Sequence, residues 1–444
     1  MKKMCILVSF IPTIAFGADD CATMRNIPDT VQSLQDVIKL GLCRNPQTAA
    51  AYASLRASHF NKNAGYANYL PSVSVGVNAN KNFAQSADTP NKNYDWSYGA
   101  SISASYLIFD FGKRTADMNQ MIATYRAAGF DFSETVQNFV YGLVGSYYEL
   151  LKADADVESA ESALTVAQTA YDTANKKFKA GSVAKADVLK AETTLASSKL
   201  GLERSKNNRE IAKATLLTKL SFPADQEITI ADMSSDFGSD AESESIDELI
   251  AVARKKRPDL LKASANKDAA WHKRNSAFLK NLPSISASAS VGWNDDHFSD
   301  VFSPSTDHMN GSIGIRASMP IFAGFANMYG LRAANADYER AKYNEQHTEN
   351  AAMMDIFTAY QNYKTARTVL EQTQALLKSA TESEKVTAGM YKVGRAKMLD
   401  WQQAQSELID AQKQNNAAKY DLFVKRAAVA LAIGDLKSEL EGEK

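Results

Sequence analysis

The chain has 444 residues, of which 45 % are hydrophobic, and a net charge of −1. A nearly neutral chain has no electrostatic reason to bind nucleic acid. The mean hydropathy of −0.32 argues against a bundle of transmembrane helices.

The N-terminal stretch MKKMCILVSFIPTIAFGADD has the pattern of a secretory signal peptide. Two lysines precede an apolar run from Cys5 to Phe16, and small residues follow before an acidic segment. About a dozen apolar residues are too few to span a bilayer as a helix. We expect cleavage near Gly17 or Ala18, so that the mature protein leaves the cytoplasm.

Two cysteines, Cys21 and Cys43, would remain after cleavage. In an oxidising compartment such a pair is expected to form a disulfide. The chain-entropy model gives a bridge of this kind a stabilisation on the order of 3 kcal/mol. The alternative is a pair of reduced, buried thiols.

Two pairs of alternating segments predict β-strands. The first pair is Ser72–Phe83 and Tyr94–Phe109, and the second is Ser284–His297 and Met309–Phe322. One parity of each strand is apolar, whereas the other is serine, glycine, asparagine and one arginine, Arg316. Polar segments marked by proline connect the two strands of each pair, as in exposed hairpins.

Long helices are predicted for most of the remaining chain. The segment from Thr115 to Ala180 contains no proline, and a helix of about 65 residues would extend roughly 100 Å. Gly181 and Gly394 mark tight turns into returning helices. A heptad stripe predicts close packing with other helices, and its members are Val157, Ala160, Leu164, Ala167, Tyr171, Ala174 and Phe178.

The chain repeats itself at an offset of 212 or 213 residues. SLQDVIKLGLCRNPQTAAAY (33–52) returns as SIDELIAVARKKRPDLLKAS (245–264), and FKAGSVAKADVL (178–189) returns as YKVGRAKMLDWQ (391–402). Landmarks in one order at one spacing indicate a duplicated unit. Within each copy the predicted order is helix, strand, strand, long helix, turn and long helix.

These patterns divide the chain into nine segments. They are a signal peptide (1–17), an N-terminal segment with the first helix (18–69), a β-hairpin (70–110), a long helical hairpin with its tip near 181 (111–220), an acidic linker (221–244), a helix of the second copy (245–282), a second β-hairpin (283–323), a second helical hairpin with its tip near 394 (324–436) and a C-terminal tail (437–444).

The apolar faces of the four strands need a partner. Helices of this length lie mostly far from four short strands, which disfavours a globular α+β core. Alternation with aromatic residues near the strand ends is typical of a membrane β-barrel, in which Trp96, Tyr98 and Trp293 would lie at the membrane interface. Four strands cannot close a barrel, and an open edge is not tolerated in lipid. Three protomers together would supply twelve strands.

The duplicated unit, the junctions IFDFGKR and PIFAGF, and the turns AGSVAKADVL and VGRAKMLDW resemble the TolC family of outer-membrane efflux proteins. The resemblance covers essentially the whole mature chain. It implies a mainly α fold with a β-barrel part, in which a homotrimer forms a twelve-stranded barrel in the outer membrane of a Gram-negative bacterium and a helical barrel in the periplasm. Leu107, where the second copy has Pro320, leaves the strand-to-helix bend of the first copy undetermined.

The same resemblance implies partners and cargo. A periplasmic adaptor protein would dock at the helical tips around Gly181 and Gly394, and an inner-membrane transporter would complete the export system. LGLCRNPQTAAAY is most similar to members that serve type I protein secretion with an ABC transporter. Small-molecule efflux with a proton-driven pump is the alternative, because the lumen of a conduit is generic. The resemblance implies no cofactor or metal.

The resemblance also places a periplasmic gate at the tips. By the family pattern Asp187 would form a hydrogen bond with Tyr391, and three copies of Asp400 would ring the pore. Two positions depart from that pattern. The family's arginine position holds Ala396 here, with Arg395 and Lys397 beside it, and the family's second aspartate ring falls on Gln403. The alternative reading is that both aspartates are ordinary acidic residues at helix N-termini.

Two other classes of protein fit the sequence less well. An enzyme is disfavoured because the five histidines are scattered without metal-ligand spacing and no GxSxG, HExxH or Walker motif is present. Asp110-Phe111-Gly112 spells the kinase DFG motif, but no HRD loop accompanies it, and it marks a strand-to-helix junction. A helical surface filament is disfavoured because such a protein needs no alternating strand pairs.

Overall fold

A computed structural model of the protein describes residues 30–31, 34–85, 92–226, 229–230, 245–297 and 306–436. The chain divides into two compact units. The sheet unit comprises residues 54–129 and 262–347, and the coil unit comprises the described parts of 1–53, 130–261 and 348–444. The predicted signal peptide, Cys21 and the C-terminal tail lie outside the described residues.

The element order repeats, as the duplicated sequence predicts. The helices are α1 (Leu34–Arg44), α2 (Pro46–Gly65), α3 (Lys113–Lys179), α4 (Lys185–Lys219), α5 (Ile246–Lys256), α6 (Pro258–Leu279), α7 (Ala326–Lys392) and α8 (Met398–Ile433), with a 3₁₀ turn at Tyr66–Tyr69. The strands are β1 (Thr30–Val31), β2 (Ser72–Gln85), β3 (Lys92–Phe109), β4 (Thr229–Ile230), β5 (Ser284–His297) and β6 (Thr306–Ser318). The long helices α3 and α7 have 67 residues each.

The helix that opens each copy is divided in two, where one helix was predicted. Pro46 and Pro258 begin α2 and α6, since proline lacks an N–H and is tolerated in the first turn of a helix. The Asn45 side-chain oxygen accepts hydrogen bonds from the backbone N–H groups of Gln47 (2.7 Å) and Thr48 (3.3 Å). The Asn-Pro pair therefore ends one helix and caps the next.

A four-stranded antiparallel sheet is the centre of the sheet unit, and its order is β2-β3-β5-β6. The two hairpins are joined because β3 pairs with β5, for example Ser103 with Ser290. Strand β6 ends at Ser318, so the predicted end at Phe322 is wrong. Pro320 has no N–H to donate to a partner strand, which limits how far pairing can extend. In the first copy β3 continues to Phe109 through a register shift between Leu107 and Phe109.

The two strand-to-helix junctions are built differently. In the first, the carboxylate of Asp110 accepts hydrogen bonds from the backbone N–H of Arg114 (2.7 Å) and of Gly112 (3.3 Å). The Arg114 guanidinium bonds back to the strand carbonyls of Leu107 (2.7 Å) and Ile108 (3.1 Å). The second copy has Ala323 and Asn327 at the positions of Asp110 and Arg114, so these hydrogen bonds occur in the first junction only.

The core of the coil unit lies where α1 packs on the middle of α3 and the ends of α4 and α8. Its fully buried members include Val37, Leu143, Leu216, Leu217 and Leu220. A smaller cluster joins α5, α7 and α8 through Leu249, Ile356 and Ala432. Strands β1 and β4 pair in parallel in the same unit. Among the residues that the structure describes, no helix is long and apolar enough to cross a membrane.

Candidate functional site at the helical tips

Both long hairpins of the coil unit turn at a glycine with a left-handed backbone. Gly181 has φ 74° and Gly394 has φ 80°. In each turn the N–H after the glycine bonds to the carbonyl five residues earlier, at 2.9 Å for Ser182 and 2.8 Å for Arg395. This closure satisfies carbonyls that a helix end leaves free, and it favours glycine at the turn. The two copies thus end in the same local geometry.

A compact apolar group, the tip cluster, holds the two turns together within the coil unit. Its buried members are Ala170, Ala174, Ala191, Tyr391, Met398 and Trp401. The rings of Tyr391 and Trp401 lie 5.2 Å apart between centroids. The indole N–H of Trp401 donates to the carboxylate of Glu384 at 2.8 Å. Alanine at three positions lets the surrounding helices approach closely enough to bury these two rings.

Tyr391 is a buried titratable group in the tip cluster. The residue is 2 % exposed, and its hydroxyl has no hydrogen-bond partner among the described residues. The predicted hydrogen bond between the Tyr391 hydroxyl and Asp187 is therefore not formed within this protomer. Burial raises the pKa of the Tyr391 phenol, and the nearby charge of Asp187 raises it further. Asp187 is close enough to act on the phenol electrostatically without bonding to it.

Lys177, near the end of α3, binds Tyr391 in two ways. Its ammonium group donates to the backbone carbonyl of Tyr391. The same Nζ atom lies 4.5 Å from the centroid of the Tyr391 ring, which is a cation–π contact. A residue of the first hairpin therefore holds a residue of the second. The two positions are 214 residues apart in sequence.

The remaining predicted gate residues lie on or near the second turn. The carboxylate of Asp400 accepts a hydrogen bond from the backbone N–H of Lys397 at 3.0 Å, so Asp400 caps α8. The amide of Gln403 donates to Glu407 one turn further along the helix (2.9 Å). Arg395 and Lys397 are exposed. The side chains that the family resemblance assigned to a gate are thus clustered at one end of the hairpins.

The tip surface carries exposed apolar side chains among charged ones. Phe178 and Val393 are exposed next to the turns. Basic side chains flank them in α3 and α7, including Lys176, Lys179 and Lys392. An exposed apolar side chain ringed by charges is a common feature of protein docking surfaces.

The predicted interfacial aromatics lie in the sheet unit. Trp96, Tyr98 and Trp293 are all exposed, and the rings of Trp96 and Tyr98 stack with an interplanar angle of 5°. Lys81 places its ammonium 5.4 Å from the centroid of the Trp96 ring. The three aromatic side chains share the apolar face of the sheet, as their positions in the strands predict.

Cys43 lies near the end of α1 and is disulfide-bonded. Its predicted partner Cys21 lies outside the described residues, so the pairing of these two cysteines stays a prediction.

Sequence reasoning missed several residues of the site. Lys177 and Glu384 carried no local signal, since each acts through a contact distant in sequence. Gln402 was also missed, although its amide bridges α8 to α4 through the Thr194 hydroxyl (2.5 Å) and the Lys190 carbonyl (2.8 Å). The repeat alignment offers one signal for this cluster, because it pairs Tyr391 with Phe178 and so aligns two aromatic side chains next to the turns.

Comparison with known proteins identifies the fold and its class. The family model of outer membrane efflux proteins matches residues 37–220 and 249–435, which correspond to the two copies of the duplicated unit. The chain belongs to this family. It is an outer-membrane efflux channel protein, and the predicted resemblance is confirmed.

Three relatives illustrate the range of the family. The chain is 23 % identical to Protein CyaE of Bordetella pertussis over 93 % of this chain and 86 % of that protein. It is 20 % identical to Outer membrane protein TolC of Escherichia coli over 92 % of this chain and 83 % of TolC. It is also 20 % identical to Toxin and drug export protein A of Aggregatibacter actinomycetemcomitans over 89 % and 85 % of the two chains.

Solved structures agree on the fold. The outer-membrane channel OprN superposes with a TM-score of 0.78 at 20 % identity, covering 90 % of each chain. The MtrE outer membrane channel of Neisseria gonorrhoeae superposes with a TM-score of 0.74 at 20 % identity, covering 91 % of this chain and 89 % of that one. The mainly helical architecture with a small β part is therefore confirmed.

Proposed function

We propose that three copies of this chain close a twelve-stranded barrel in the outer membrane and form the exit duct of a tripartite export system. The single observation that carries the proposal is the sheet. Its apolar face is open to the surroundings, with Val77 81 % and Ile313 88 % exposed. Leaving such a side chain in water costs roughly 1.5–3 kcal/mol relative to burying it, and contact with the acyl chains of a bilayer removes this cost.

The edges of the sheet support the same proposal. Strands β2 and β6 each pair on one side only within the described residues. Unpaired backbone N–H and C=O groups are not tolerated in the hydrocarbon region, so the edges must find partners. An even number of strands per protomer lets β6 of one copy run antiparallel to β2 of the next.

The helical tips are the proposed docking and gating end of the duct. A periplasmic adaptor protein would bind the turns at Gly181 and Gly394, where apolar and basic side chains are exposed. The gate would involve the Asp187–Tyr391 pair, the Asp400 ring with Arg395 and Lys397, and Gln403 at the position of the family's second ring. The Tyr391 hydroxyl has no partner among the described residues and is buried within the protomer, so a bond to an acceptor of another protomer would require the tip to rearrange on assembly.

For the cargo, we propose protein export by type I secretion with an ABC transporter. The support is the similarity of LGLCRNPQTAAAY to members that serve this pathway. In the fold the Asn-Pro pair of this motif caps a helix, which is a structural role. Small-molecule efflux with a proton-driven pump is the second candidate, because one relative at 20 % identity is a toxin and drug export protein.

The proposal is tested by photo-crosslinking in native cells. Val393 is exposed next to the second turn, so a photoreactive amino acid placed there should capture an adaptor protein. The same probe at Leu200, which is exposed in the middle of α4, is the matched control and should not. Co-purification of the captured adaptor with an ABC transporter supports protein secretion. A proton-driven pump in its place would overturn the cargo assignment, and capture of no adaptor at Val393 would overturn the docking end.

A further inference from the structure

Arg316 is an isolated charge on the polar face of the sheet. Residues of this face are identified by pairing, since Arg316 lies opposite Ser286, which lies opposite Leu107. Where side chains of this face are described, the other members are serine, glycine, asparagine, one leucine and one histidine. Arg316 is therefore the only permanently charged side chain in the described part of the face.

The Arg316 guanidinium contributes no contact to the described part of the fold. Arg316 is exposed, and it makes no hydrogen bond, ion pair or ring contact with any residue that the structure describes. Arg114 provides the contrast, because it binds two strand carbonyls and the buried carboxylate of Asp110. An unpaired charge among the neutral side chains at this end of the polar face suggests a role in what passes along that face.

The position of Arg316 along the barrel follows from the chain. It lies two residues before the end of β6 at Ser318, and α7 begins at Ala326. In the trimer three copies would therefore form one ring, at the end of the barrel that adjoins the helices. Twelve tilted strands at a spacing of about 4.8 Å give a barrel radius of about 12 Å. A long side chain directed inward then brings its charge within about 10 Å of the pore axis, which is the Debye length at 0.1 M salt.

We infer that Arg316 is a selectivity residue: its three guanidinium groups form a cationic ring that favours anions and anionic segments of cargo at the helix-side end of the barrel. A fixed charge in a confined channel raises the local concentration of counter-ions and lowers that of co-ions. The register places two carboxylates, Asp95 and Asp296, on the same face, but at the opposite ends of the strands from Arg316. The inference rests on the proposed function, because it requires the polar face to line a trimeric pore.

The experiment measures reversal potentials of the purified full-length protein in planar bilayers under a KCl gradient at low salt. Arg316→Ser should raise the K⁺ to Cl⁻ permeability ratio by about twofold or more, and Arg316→Glu should raise it further. Arg316→Lys keeps the charge and should behave as the parent. At about 1 M salt the Debye length falls to about 3 Å, so the variants should then converge.

The matched control is Lys81→Gln, which removes one positive charge from the opposite, apolar face of the same sheet. It should leave the permeability ratio unchanged. If the parent conducts and Arg316→Ser has the parental ratio at low salt, the inference is wrong while the proposed function stands. If Arg316→Lys shifts the ratio as much as Arg316→Ser does, the effect is steric and the inference is also wrong. A parent that forms no pores would instead overturn the proposed function.

Discussion

At the scale of single residues, the tip cluster contains one buried hydroxyl, that of Tyr391, without a hydrogen bond among the described residues. Leaving a polar group buried without a hydrogen bond costs about 1–3 kcal/mol. The fold accepts this cost at Tyr391, where the aromatic ring packs on Trp401 and the ammonium of Lys177 offsets part of it. A rearrangement of the tip that brings an acceptor to the Tyr391 hydroxyl would therefore be favoured.

Under the gate proposal, Lys177 is expected to stabilise the closed state of the tip by joining the two hairpins. A hydrogen bond from a charged donor contributes about 1.5–3 kcal/mol and a cation–π contact about 0.5–1 kcal/mol. Lys177→Met keeps the length of the side chain but removes both interactions with Tyr391. A loss of about 2 kcal/mol should raise the ratio of open to closed channels about 30-fold. Single-channel recording of resting conductance measures this change.

The control is Lys176→Met, an adjacent exposed lysine that makes no contact with Tyr391 among the described residues. It removes the same charge and should leave the resting conductance unchanged. Equal conductance in both variants would mean that Lys177 is not a closing residue.

Asp400 has two separable roles, and two variants distinguish them. Its carboxylate caps α8 through Lys397, and the gate proposal makes it a cation-binding ring. Asp400→Asn keeps an acceptor oxygen for the cap but removes the charge, whereas Asp400→Ala removes both. We expect the asparagine variant to lose block by divalent cations without losing stability, and the alanine variant to lose about 1 kcal/mol of stability as well.

Cation block and thermal unfolding of the purified protein in detergent measure the two effects. Asp410→Asn, an exposed aspartate further along α8, should change neither. Unchanged block in Asp400→Asn would contradict the ring, and Asp400 would then be a helix cap only.

At the scale of elements, the glycines that end helices differ in what surrounds them. A side chain at Gly394 would meet nothing within 4 Å. A side chain at Gly434, which ends α8 with φ 76°, would lie 2.6 Å from the backbone Cα of Arg257. Gly434 thus combines a left-handed turn with a close approach between two chain segments of the coil unit.

Alanine at these two positions should have unequal effects. Gly394→Ala introduces only left-handed strain, which costs roughly 1–2 kcal/mol. Gly434→Ala adds a backbone clash, which costs about 1–3 kcal/mol more. Thermal unfolding followed by circular dichroism should therefore show a clearly larger drop in Tm for Gly434→Ala. Equal drops in Tm would mean that the contact with Arg257 relaxes without cost.

The elements could be predicted where their signal is local, and less well where it is not. Strand alternation and turn glycines are periodic or punctuating signals, so the strand pairs and both tips were found. The division of the first helix at Asn45-Pro46 was missed because the apolar pattern continues across it. The predicted end of β6 is too late because the apolar residues Ile321 and Phe322 extend the strand-like pattern past Pro320, which has no N–H to donate to a partner strand.

The candidate site could be predicted only in part, for a physical reason. The family resemblance assigns Asp187, Tyr391 and Asp400 to a gate by their positions relative to the turn glycines, and that role stays a prediction. The hold of Lys177 on Tyr391 depends on the packing of two hairpins, and no pattern within either hairpin encodes it. Conversely, the hydrogen bond expected between Asp187 and Tyr391 is absent from the protomer, although the charge of Asp187 still raises the pKa of the Tyr391 phenol.

At the scale of the whole molecule, the duplication explains why the sheet is incomplete. Each copy contributes one hairpin, and the two hairpins join through β3 and β5. Among the described residues, β2 and β6 each pair on one side only. The joined hairpins therefore form a sheet with two edges, which further copies of the chain would close under the proposed function.

Closure by three copies is tested with paired cysteines on the edge strands. A disulfide requires Cα atoms about 4.4–6.8 Å apart, as in directly opposed strand residues. One cysteine is placed at Ser74 on β2, and the other is moved along the same polar face of β6 through Gly314, Ser312 and Asn310. We expect one register to cross-link efficiently into a species of three chains on non-reducing gels, because a closed barrel fixes the pairing of β6 with the next protomer's β2.

The control pair is Ser103→Cys with Ser290→Cys, which are opposed within one protomer across β3 and β5. This pair should cross-link to the same efficiency but remain at the mass of a single chain. A ladder of cross-linked species that continues beyond three chains would indicate an open assembly, because only closure stops the series. Absence of cross-links between β2 and β6 in every register, with the control pair fully oxidised, would contradict the shared barrel. The single closed band follows from elementary geometry, since each of three protomers then offers one β2 edge and one β6 edge and leaves neither exposed to lipid.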